Sequence, residues 1–280
     1  QTNLLWDNIS IKYNFGKIPI SLNLFKNNFL KIKKYAESFI GFFSNFWLDR
    51  KNCRQSIVLL EFNTALFSKL LLSLKNYPGN IILVNQRRSA IWNKKAINAV
   101  KKSNSKILNF DKILTTSEKS RIPILVEEYS KKLDNFWKNS EFLEILFQIE
   151  NSSFWNVIQD IIIKSYNEKL PNFIFSILAT KSLFLNMDVR CIVSLNETGE
   201  TEKIFLESNK NKIPFILLEH GFIENDVEHA RFHQDVYGDF SDKTAVWGNL
   251  KKKYLIDELN IDSSRIIVSG SPRHDDYFES

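Results

Sequence analysis

Residues 56–86, SIVLLEFNTALFSKLLLSLKNYPGNIILVNQ, decide the fold of this chain. A short, almost wholly apolar run, SIVLLEF, precedes a segment with helical spacing, and Pro78-Gly79 marks a turn before a second apolar run, IILVNQ. Short apolar runs joined through a helix are typical of strands buried on both faces of a parallel sheet. The stretch therefore predicts a strand–helix–strand unit with a right-handed crossover.

The same alternation recurs along most of the chain. Residues 89–103 predict a second helix and 106–110 a third strand, and helices are predicted again at 200–210 and 249–260. Four further apolar runs predict strands: CIVSL (191–195), FILLEHG (215–221), KTAVWG (243–248) and RIIVSG (265–270). We expect an α/β chain built on a Rossmann-like parallel sheet, with ligands at the carboxyl ends of its strands.

The first 50 residues depart from this rhythm. They are rich in aromatic residues, and residues 24–47 carry apolar residues at helical spacing with lysines between them. Residues 1–50 are therefore predicted to be an N-terminal helical segment. We interpret the helix as packed on the following domain. The alternative is a helix on a membrane surface, because Lys31, Lys33 and Lys34 precede a cluster of Phe and Trp.

A second departure lies inside the α/β domain, which we assign to residues 51–280. Residues from about 117 to 188 show helical spacing without strand-like runs, which predicts an insertion of three or so helices. Pro171 is expected at the first turn of the last of them. The aromatic side chains of this insertion, including Trp137 and Trp155, are expected in its core.

Composition bounds the classes of function. The chain has 280 residues, 44% hydrophobic and 25% charged, and is therefore a folded protein rather than a disordered one. A net charge of +6 suits anionic partners, but no block of five or six like charges occurs, so we expect no nucleic-acid binding. With 8 glycines, a glycine-rich phosphate loop is not expected. The distant Cys53 and Cys191 indicate a reducing cytoplasm, and no apolar run reaches the roughly 18 residues of a spanning helix.

His220 is the strongest catalytic candidate, because it directly follows the predicted strand PFILL. An imidazole, whose unperturbed pKa is about 6.5, can accept a proton from an attacking hydroxyl near neutral pH. Gly221 would let the backbone turn sharply behind it and contribute to substrate binding, and Glu219 is the second catalytic candidate. The alternative is a histidine with a structural role only.

Other predicted strand ends supply polar and basic groups. The loop 194–200 leads into a helix, where its side chains would either bind a hydroxyl-rich or anionic ligand or cap the helix. Arginine offers a planar fork suited to phosphate or carboxylate. The candidate substrate-binding residues are Asn196, Glu197, Glu200, Arg87, Arg88, Arg273, His274 and Asp275.

Residues 222–242 form a long loop without apolar periodicity, which predicts an active-site flap. His229 and His233 in this loop have the i, i+4 spacing of two zinc ligands on a helix. Neither an HExxH motif nor a nearby cysteine accompanies them, so we predict no metal site. A Mg²⁺ ion carried by a donor nucleotide is compatible with the sequence.

The last third of the chain resembles the GT-B fold proteins of surface-polysaccharide assembly. The resemblance rests on three segments: IPFILLEHG (213–221), DKTAVWGNLKKKYLIDELNID (242–262) and RIIVSGSPRHD (265–275). Closest in pattern are capsule and lipopolysaccharide glycosyltransferase-like proteins, CDP-glycerol glycerophosphotransferases and non-hydrolysing UDP-N-acetylglucosamine 2-epimerases. These share a strand ending in His-Gly and a Gly-x-Pro-Arg-x-Asp turn.

The resemblance implies an enzyme of which this chain is the N-terminal, acceptor-side half. In these families the Gly-x-Pro-Arg-x-Asp turn closes the first domain and a nucleotide-binding domain follows, so we expect a C-terminal donor domain outside these 280 residues. His220 would be the base or an acceptor contact, and Arg273 and Asp275 would line the interdomain cleft. No cofactor is expected, the nucleotide-activated donor being a substrate.

Three functions remain open on the sequence. The first is transfer of a sugar or glycerol phosphate to a glycan or lipid-linked acceptor, in the cytoplasm or at the inner face of the cell membrane. The second is epimerisation of a UDP-sugar. The third is a non-catalytic domain that binds glycan or acts as a scaffold at the membrane surface.

Overall fold

A computed structural model describes residues 8–15, 18–44, 46, 48, 55–210, 212–221 and 240–274 of the chain. The chain divides into two compact units. The first comprises Gln1–Asn109, Met187–Leu206 and Lys210–Ser280, and the second comprises Phe110–Asn186 and Glu207–Asn209. The sequence placed the helical insertion at about 117–188, so its first boundary lies some residues earlier than expected.

The strands are β1 Asn8–Phe15, β2 Ile18–Phe25, β3 Ser56–Leu60, β4 Asn80–Val84, β5 Lys106–Ile107, β6 Gln148–Ile149, β7 Ser152–Ser153, β8 Val189–Ser194, β9 Phe215–Leu218, β10 Lys243–Val246 and β11 Ile266–Val268. The helices are α1 Lys26–Ser44, α2 Ser68–Ser73, α3 Lys94–Ser103, α4 Phe110–Ile113, α5 Thr116–Ser120, α6 Ile122–Trp137, α7 Ser140–Leu146, α8 Trp155–Asn186, α9 Glu200–Ser208 and α10 Asn249–Asp257. Short 3-10 turns follow α2 and precede β11.

The first unit is built on a seven-stranded, wholly parallel sheet in the order β5-β4-β3-β8-β9-β10-β11. The chain runs outward from β3 to one edge and then restarts beside β3 toward the other edge. This order confirms the predicted Rossmann-like α/β fold. The reversal between β3 and β8 is a topological switch point, where such sheets leave a crevice at their carboxyl ends.

Burial explains why the central strands read as continuous apolar runs. All five residues of β4 and four of the five of β3 are buried, because helices cover both faces of a parallel sheet. Leu59, Leu83 and Phe62 lie in one core cluster with Val100 of α3. Burying a side chain of this size contributes on the order of 1.5–3 kcal/mol.

The N-terminal segment is only partly helical, which corrects the prediction for residues 1–50. β1 and β2 form an antiparallel hairpin, and α1 covers Lys26–Ser44 rather than 24–47. The sequence of β2, IPISLNLF, alternates apolar and polar residues with the period of two typical of a strand. Ile40 of α1 packs on the core cluster of the sheet, which agrees with the interpretation that this helix packs on the following domain.

The second unit contains α4 to α8 and the short β6–β7 hairpin. One correction concerns Pro171, which lies inside the 32-residue helix α8 rather than at the start of a separate helix. Trp155 is buried, and its ring stacks on those of Trp137 and Phe147 at centroid distances of 6.0 and 5.1 Å. In the part of the chain that is described, no helix has the length and apolarity needed to cross a membrane.

Candidate functional site

The candidate site lies at the carboxyl edge of the parallel sheet, around the switch point between β3 and β8. The segments at this edge include residue 61 after β3, 85–91 after β4, 195–199 after β8, 219–221 after β9 and 269–274 after β11. All of them belong to the first unit. Their side chains decide what the crevice can bind.

Glu61 is a residue of this site that the sequence did not reveal. It is buried and has a left-handed backbone conformation with φ of 56°. Its Oε1 accepts hydrogen bonds from the backbone N–H groups of Gln86 and Arg87, at 2.7 and 3.0 Å, and from Thr201 Oγ1 at 2.8 Å. A left-handed non-glycine residue costs on the order of 1 kcal/mol and is often found at functional sites. Glu61 therefore joins the ends of β3 and β4 to α9.

Arg87 is held by carboxylates of the protein itself. Its Nη2 donates to Oε1 of Glu202 at 2.5 Å, and its Nε lies 3.8 Å from Glu61 Oε1. Glu202 is fully buried, and its Oε2 has no hydrogen-bond partner among the residues that the structure describes. Burial raises the pKa of Glu202, the Arg87 charge opposes this, and the Glu61 charge adds to it. The guanidinium of Arg87 thus serves chiefly to compensate buried negative charge.

Gly199 makes this ion pair possible. A Cβ at residue 199 would lie 2.2 Å from Glu202 Oε2 and 2.8 Å from Arg87 Nη1. Any side chain here would displace the carboxylate or the guanidinium. The glycine in the loop after β8 is therefore required for close approach, a role that the sequence did not reveal.

His220 is influenced by the charges of two arginines that come from distant parts of the chain. Its ring is exposed at the end of β9, and its backbone oxygen accepts a hydrogen bond from Arg273 Nη1 at 2.9 Å. Partial desolvation lowers the pKa of His220 below its ordinary value of 6.5, and the positive charges of Arg273 and then Arg88 lower it further. A hydrogen bond with the backbone of Leu195 has the opposite, smaller effect. The imidazole is accordingly neutral at pH 7 and able to accept a proton.

The loop after β11 is a tight turn that presents Arg273. Gly270 has a φ of 75°, which favours glycine, and the backbone N–H of His274 donates to Ser271 O at 2.9 Å. His274 Nδ1 lies 2.8 Å from Ser271 Oγ, and its ring meets Trp247 edge-on at 4.9 Å between centroids. His274 thus stabilises the turn, and Arg273 projects from it as an exposed side chain.

Two predicted site residues are buried and hold loops together. Glu219, predicted to be catalytic, accepts a hydrogen bond from Trp247 N at 2.7 Å, and its backbone oxygen accepts one from Trp247 Nε1 at 2.9 Å. Burial raises the pKa of Glu219, against the effects of the Trp247 bond and the Lys251 charge. Glu197 is fully buried and accepts a hydrogen bond from Ser241 N at 2.7 Å. Neither carboxylate is presented to solvent.

The remaining predicted residues differ in their settings. Asn196 Oδ1 accepts hydrogen bonds from Thr198 N at 2.6 Å and Thr198 Oγ1 at 2.9 Å, which forms a local turn within the loop before α9. Glu200 is exposed at the first turn of α9. The chain bends at Gly221, whose φ is not in the left-handed region, and a Cβ there would meet none of the described atoms within 4 Å. The contribution of Gly221 to substrate binding stays a prediction.

Arg88 is a predicted binding residue that is open to solvent. Its side chain is 51% exposed, and its Nε lies 4.0 Å from Glu61 Oε2. Asp275, the two histidines 229 and 233 and residues 222–239 of the predicted flap lie outside the described residues. Among the residues that the structure does describe, no group of three or more His, Cys, Asp and Glu side chains is placed to hold a metal ion.

Comparisons with known proteins give a likeness of fold alone. No protein-family model matches the chain, and no curated protein matches its sequence. One similar solved structure is the crystal structure of UDP-GlcNAc 2-epimerase from Neisseria meningitidis bound to UDP-GlcNAc, at 12% sequence identity and a TM-score of 0.42. The match covers 80% of this chain and 49% of that chain, so this chain spans about half the length of that enzyme.

Proposed function

We propose that this chain is the acceptor-side domain of a GT-B-type transferase that moves a sugar or glycerol phosphate from a nucleotide-activated donor to a glycan or lipid-linked acceptor. The proposal is supported by the position of Arg88, His220 and Arg273 in loops at the carboxyl edge of a Rossmann-like sheet, where Arg273 bonds the backbone oxygen of His220 and the charges of both arginines act on its imidazole. These side chains belong to loops after β4, β9 and β11, far apart in sequence. A neutral base beside two cations is an arrangement suited to an uncharged hydroxyl and an anionic group.

In this proposal His220 is the general base. The acceptor hydroxyl oxygen attacks the sugar carbon or the glycerol-phosphate phosphorus, and the bond from that atom to the nucleotide leaving group breaks. The proton of the hydroxyl passes to His220, and the bonding electron pair leaves with the nucleotide. Arg88 and Arg273 stabilise the anionic group that gathers negative charge. The donor domain, the cytoplasmic location and a Mg²⁺ ion on the donor are further parts of the proposal, which needs no protein-bound metal.

The test replaces His220 in the complete natural protein. We expect His220→Ala to lower kcat by a factor of about 100 or more, because general-base catalysis contributes on that order. KM should change little, since the base acts in the transition state. Exposed Lys253 of α10 supplies the control, and Lys253→Ala should keep full activity. Unchanged turnover in the His220 variant would remove the proposed mechanism.

The same assay separates transfer from epimerisation. Donors of both types, UDP-N-acetylglucosamine and CDP-glycerol, would be incubated with and without a hydroxyl-bearing acceptor, and the products identified by mass spectrometry and NMR. A transferase consumes donor and forms the coupled product only when acceptor is present. Conversion of the UDP-sugar to its 2-epimer without acceptor would replace the transferase proposal by the epimerase alternative.

A further inference from the structure

Helix α1 is firmly attached to the sheet by one face. Glu37 is buried, and its Oε1 accepts a hydrogen bond from Ala90 N at 2.6 Å. Lys34 Nζ donates to Asn85 O at 2.5 Å, and Ile40 packs on the core. These contacts fix which face of α1 points away from the protein.

The opposite face of α1 exposes large apolar side chains in a single stripe. Residues separated by 3, 4 and 7 positions recur on one side of a helix, so the three helical members of the stripe span about 10 Å at 1.5 Å per residue. The stripe consists of Ile32 (52% exposed), Tyr35 (74%) and Phe39 (67%), together with Phe25 (63%), the last residue of β2, directly before α1. An apolar stripe of this kind on a folded domain marks an interaction surface.

Positive charge borders this stripe. Lys31 is exposed on one side of it, and Lys33 lies on the other, with its Nζ 4.4 Å from the centroid of the Phe29 ring and 5.3 Å from that of Trp92. Trp92, which precedes α3, is itself 49% exposed. The first 50 residues carry seven Lys and Arg against three Asp and Glu, so they hold +4 of the net +6 of the chain.

We propose that α1 lies flat on an anionic lipid surface, with the stripe of Phe25, Ile32, Tyr35 and Phe39 in the interface and the flanking lysines at the headgroups. Helices that bind membranes in this way combine an apolar face with bordering basic residues. The inference is independent of the proposed catalytic function. It defines the surface by which the domain would reach a lipid-linked acceptor.

Charge argues against a second copy of the chain as the occupant of the stripe. A two-fold contact through the stripe would place the same face of α1 of both copies in contact, together with the lysines that border it. Lys31 and Lys33 of both copies would then crowd together, and like charges in contact are unfavourable. An anionic lipid surface attracts the same lysines, so they favour binding of α1 to it.

The second unit supplies a matched control. Around α7 and β6 it exposes Ile145 (66%), Leu146 (58%) and Ile149 (64%), as large and as exposed as the α1 stripe. Their neighbours are acidic, namely Glu141, Glu144 and Glu150. An anionic lipid surface would repel this cluster, so the two apolar surfaces differ in the sign of the surrounding charge.

The experiment measures co-sedimentation of the 280-residue chain with vesicles of phosphatidylcholine alone or with about 30% phosphatidylglycerol. We expect at least about tenfold tighter binding to the anionic vesicles, weakening as salt rises. The triple variant Ile32→Ser, Tyr35→Ser, Phe39→Ser should bind at least about tenfold more weakly. The control Ile145→Ser, Leu146→Ser, Ile149→Ser should stay within about twofold of the parent chain, and Lys31→Glu should reduce the preference for anionic lipid.

Circular dichroism checks that each variant is folded. Failure of the parent chain to bind anionic vesicles, or equal binding by the α1 triple variant, would overturn the proposal. Sedimentation equilibrium tests whether a second copy of the chain occupies the stripe instead. A dimer that the α1 substitutions abolish, in a chain that does not bind lipid, would assign the stripe to that second copy. Loss of catalysis by His220→Ala tests the proposed function and leaves vesicle binding unaffected, so the two proposals fail separately.

Discussion

Glu61 lies directly after β3, at the point where the strand order reverses, and its carboxylate is buried. Two backbone N–H groups and the Thr201 hydroxyl donate to Oε1, while Arg87 and Arg88 bring positive charge within 4.0 Å of the carboxylate. One side chain thus determines the path of the loop that carries both arginines. Glu61 acts on the candidate site as a positioning residue.

We expect Glu61→Gln to destabilise the first unit by about 1–3 kcal/mol. The amide keeps the shape of the carboxylate but loses its charge, and an NH₂ group in place of Oε2 can no longer accept from Arg87 N, at 3.3 Å, or attract the Arg88 guanidinium. Urea denaturation followed by circular dichroism measures the loss. Glu200→Gln, at an exposed position of α9, is the control and should change stability by less than about 0.5 kcal/mol. A Glu61 variant as stable as the parent chain would contradict this role.

Among the elements, helix α8 is unusual because it continues through Pro171. Proline has no N–H to donate to the carbonyl four residues earlier, and its ring crowds that carbonyl. The packing of α8 on α6 and the aromatic core around Trp155 offset this cost. Local sequence predicted a helix start at Pro171, and tertiary packing overrode it.

We therefore expect Pro171→Ala to stabilise the second unit by about 1–3 kcal/mol, since the proline is exposed and its removal restores a helical hydrogen bond. Thermal denaturation should show a higher midpoint. Asn172→Ala, at the adjacent exposed position, tests for helix propensity alone and should gain less than about 1 kcal/mol. An equal or lower midpoint for the Pro171 variant would show that the helix needs the proline.

Elements with a strong local signal could be predicted from the sequence, and those defined by distant contacts could not. Strands β3 and β4 are buried on both faces, so their apolar runs were recognisable, and β8 is recognisable by its run CIVS. The β1–β2 hairpin was missed because the aromatic and lysine-rich pattern of the region favoured a helix throughout.

In the candidate site, too, residues with a local sequence signal could be predicted and those defined by distant contacts could not. His220 and Arg273 lie in the loops that follow β9 and β11, which is a local signal for the carboxyl edge of the sheet. Glu197 and Glu219 also lie at strand ends, but their hydrogen-bond donors, Ser241 and Trp247, come 44 and 28 residues later. Sequence spacing could not distinguish these buried carboxylates from residues that face a ligand.

At the scale of the whole molecule, the sheet brings loops from three parts of the chain to one imidazole. Arg88 follows β4, His220 follows β9 and Arg273 follows β11. Each guanidinium repels the protonated form of His220 and so lowers its pKa, Arg273 more than Arg88. The neutral form of the candidate base therefore depends on the folded arrangement of the sheet.

This arrangement also predicts a pH dependence. The pKa of His220 in the folded chain lies below its ordinary value of 6.5, so the unfolded chain takes up this proton first as the pH falls. The group favours the folded state fully above pH 6.5, and its contribution is lost as the pH falls through the folded pKa. Activity that depends on neutral His220 should rise along an acid limb below pH 6.5 and then level off.

Removing the arginines should move the acid limb of the pH–activity profile to higher pH. Arg273→Ala removes a cation beside the imidazole, so we expect the pKa of His220 to rise, and Arg88→Ala should raise it by a smaller amount. An NMR titration of the imidazole C–H signals measures both shifts without requiring activity, with the His220 signal identified from His220→Ala. Lys253→Ala should leave the titration unchanged. An unchanged pKa in both arginine variants would show that the sheet does not bring these charges within reach of His220.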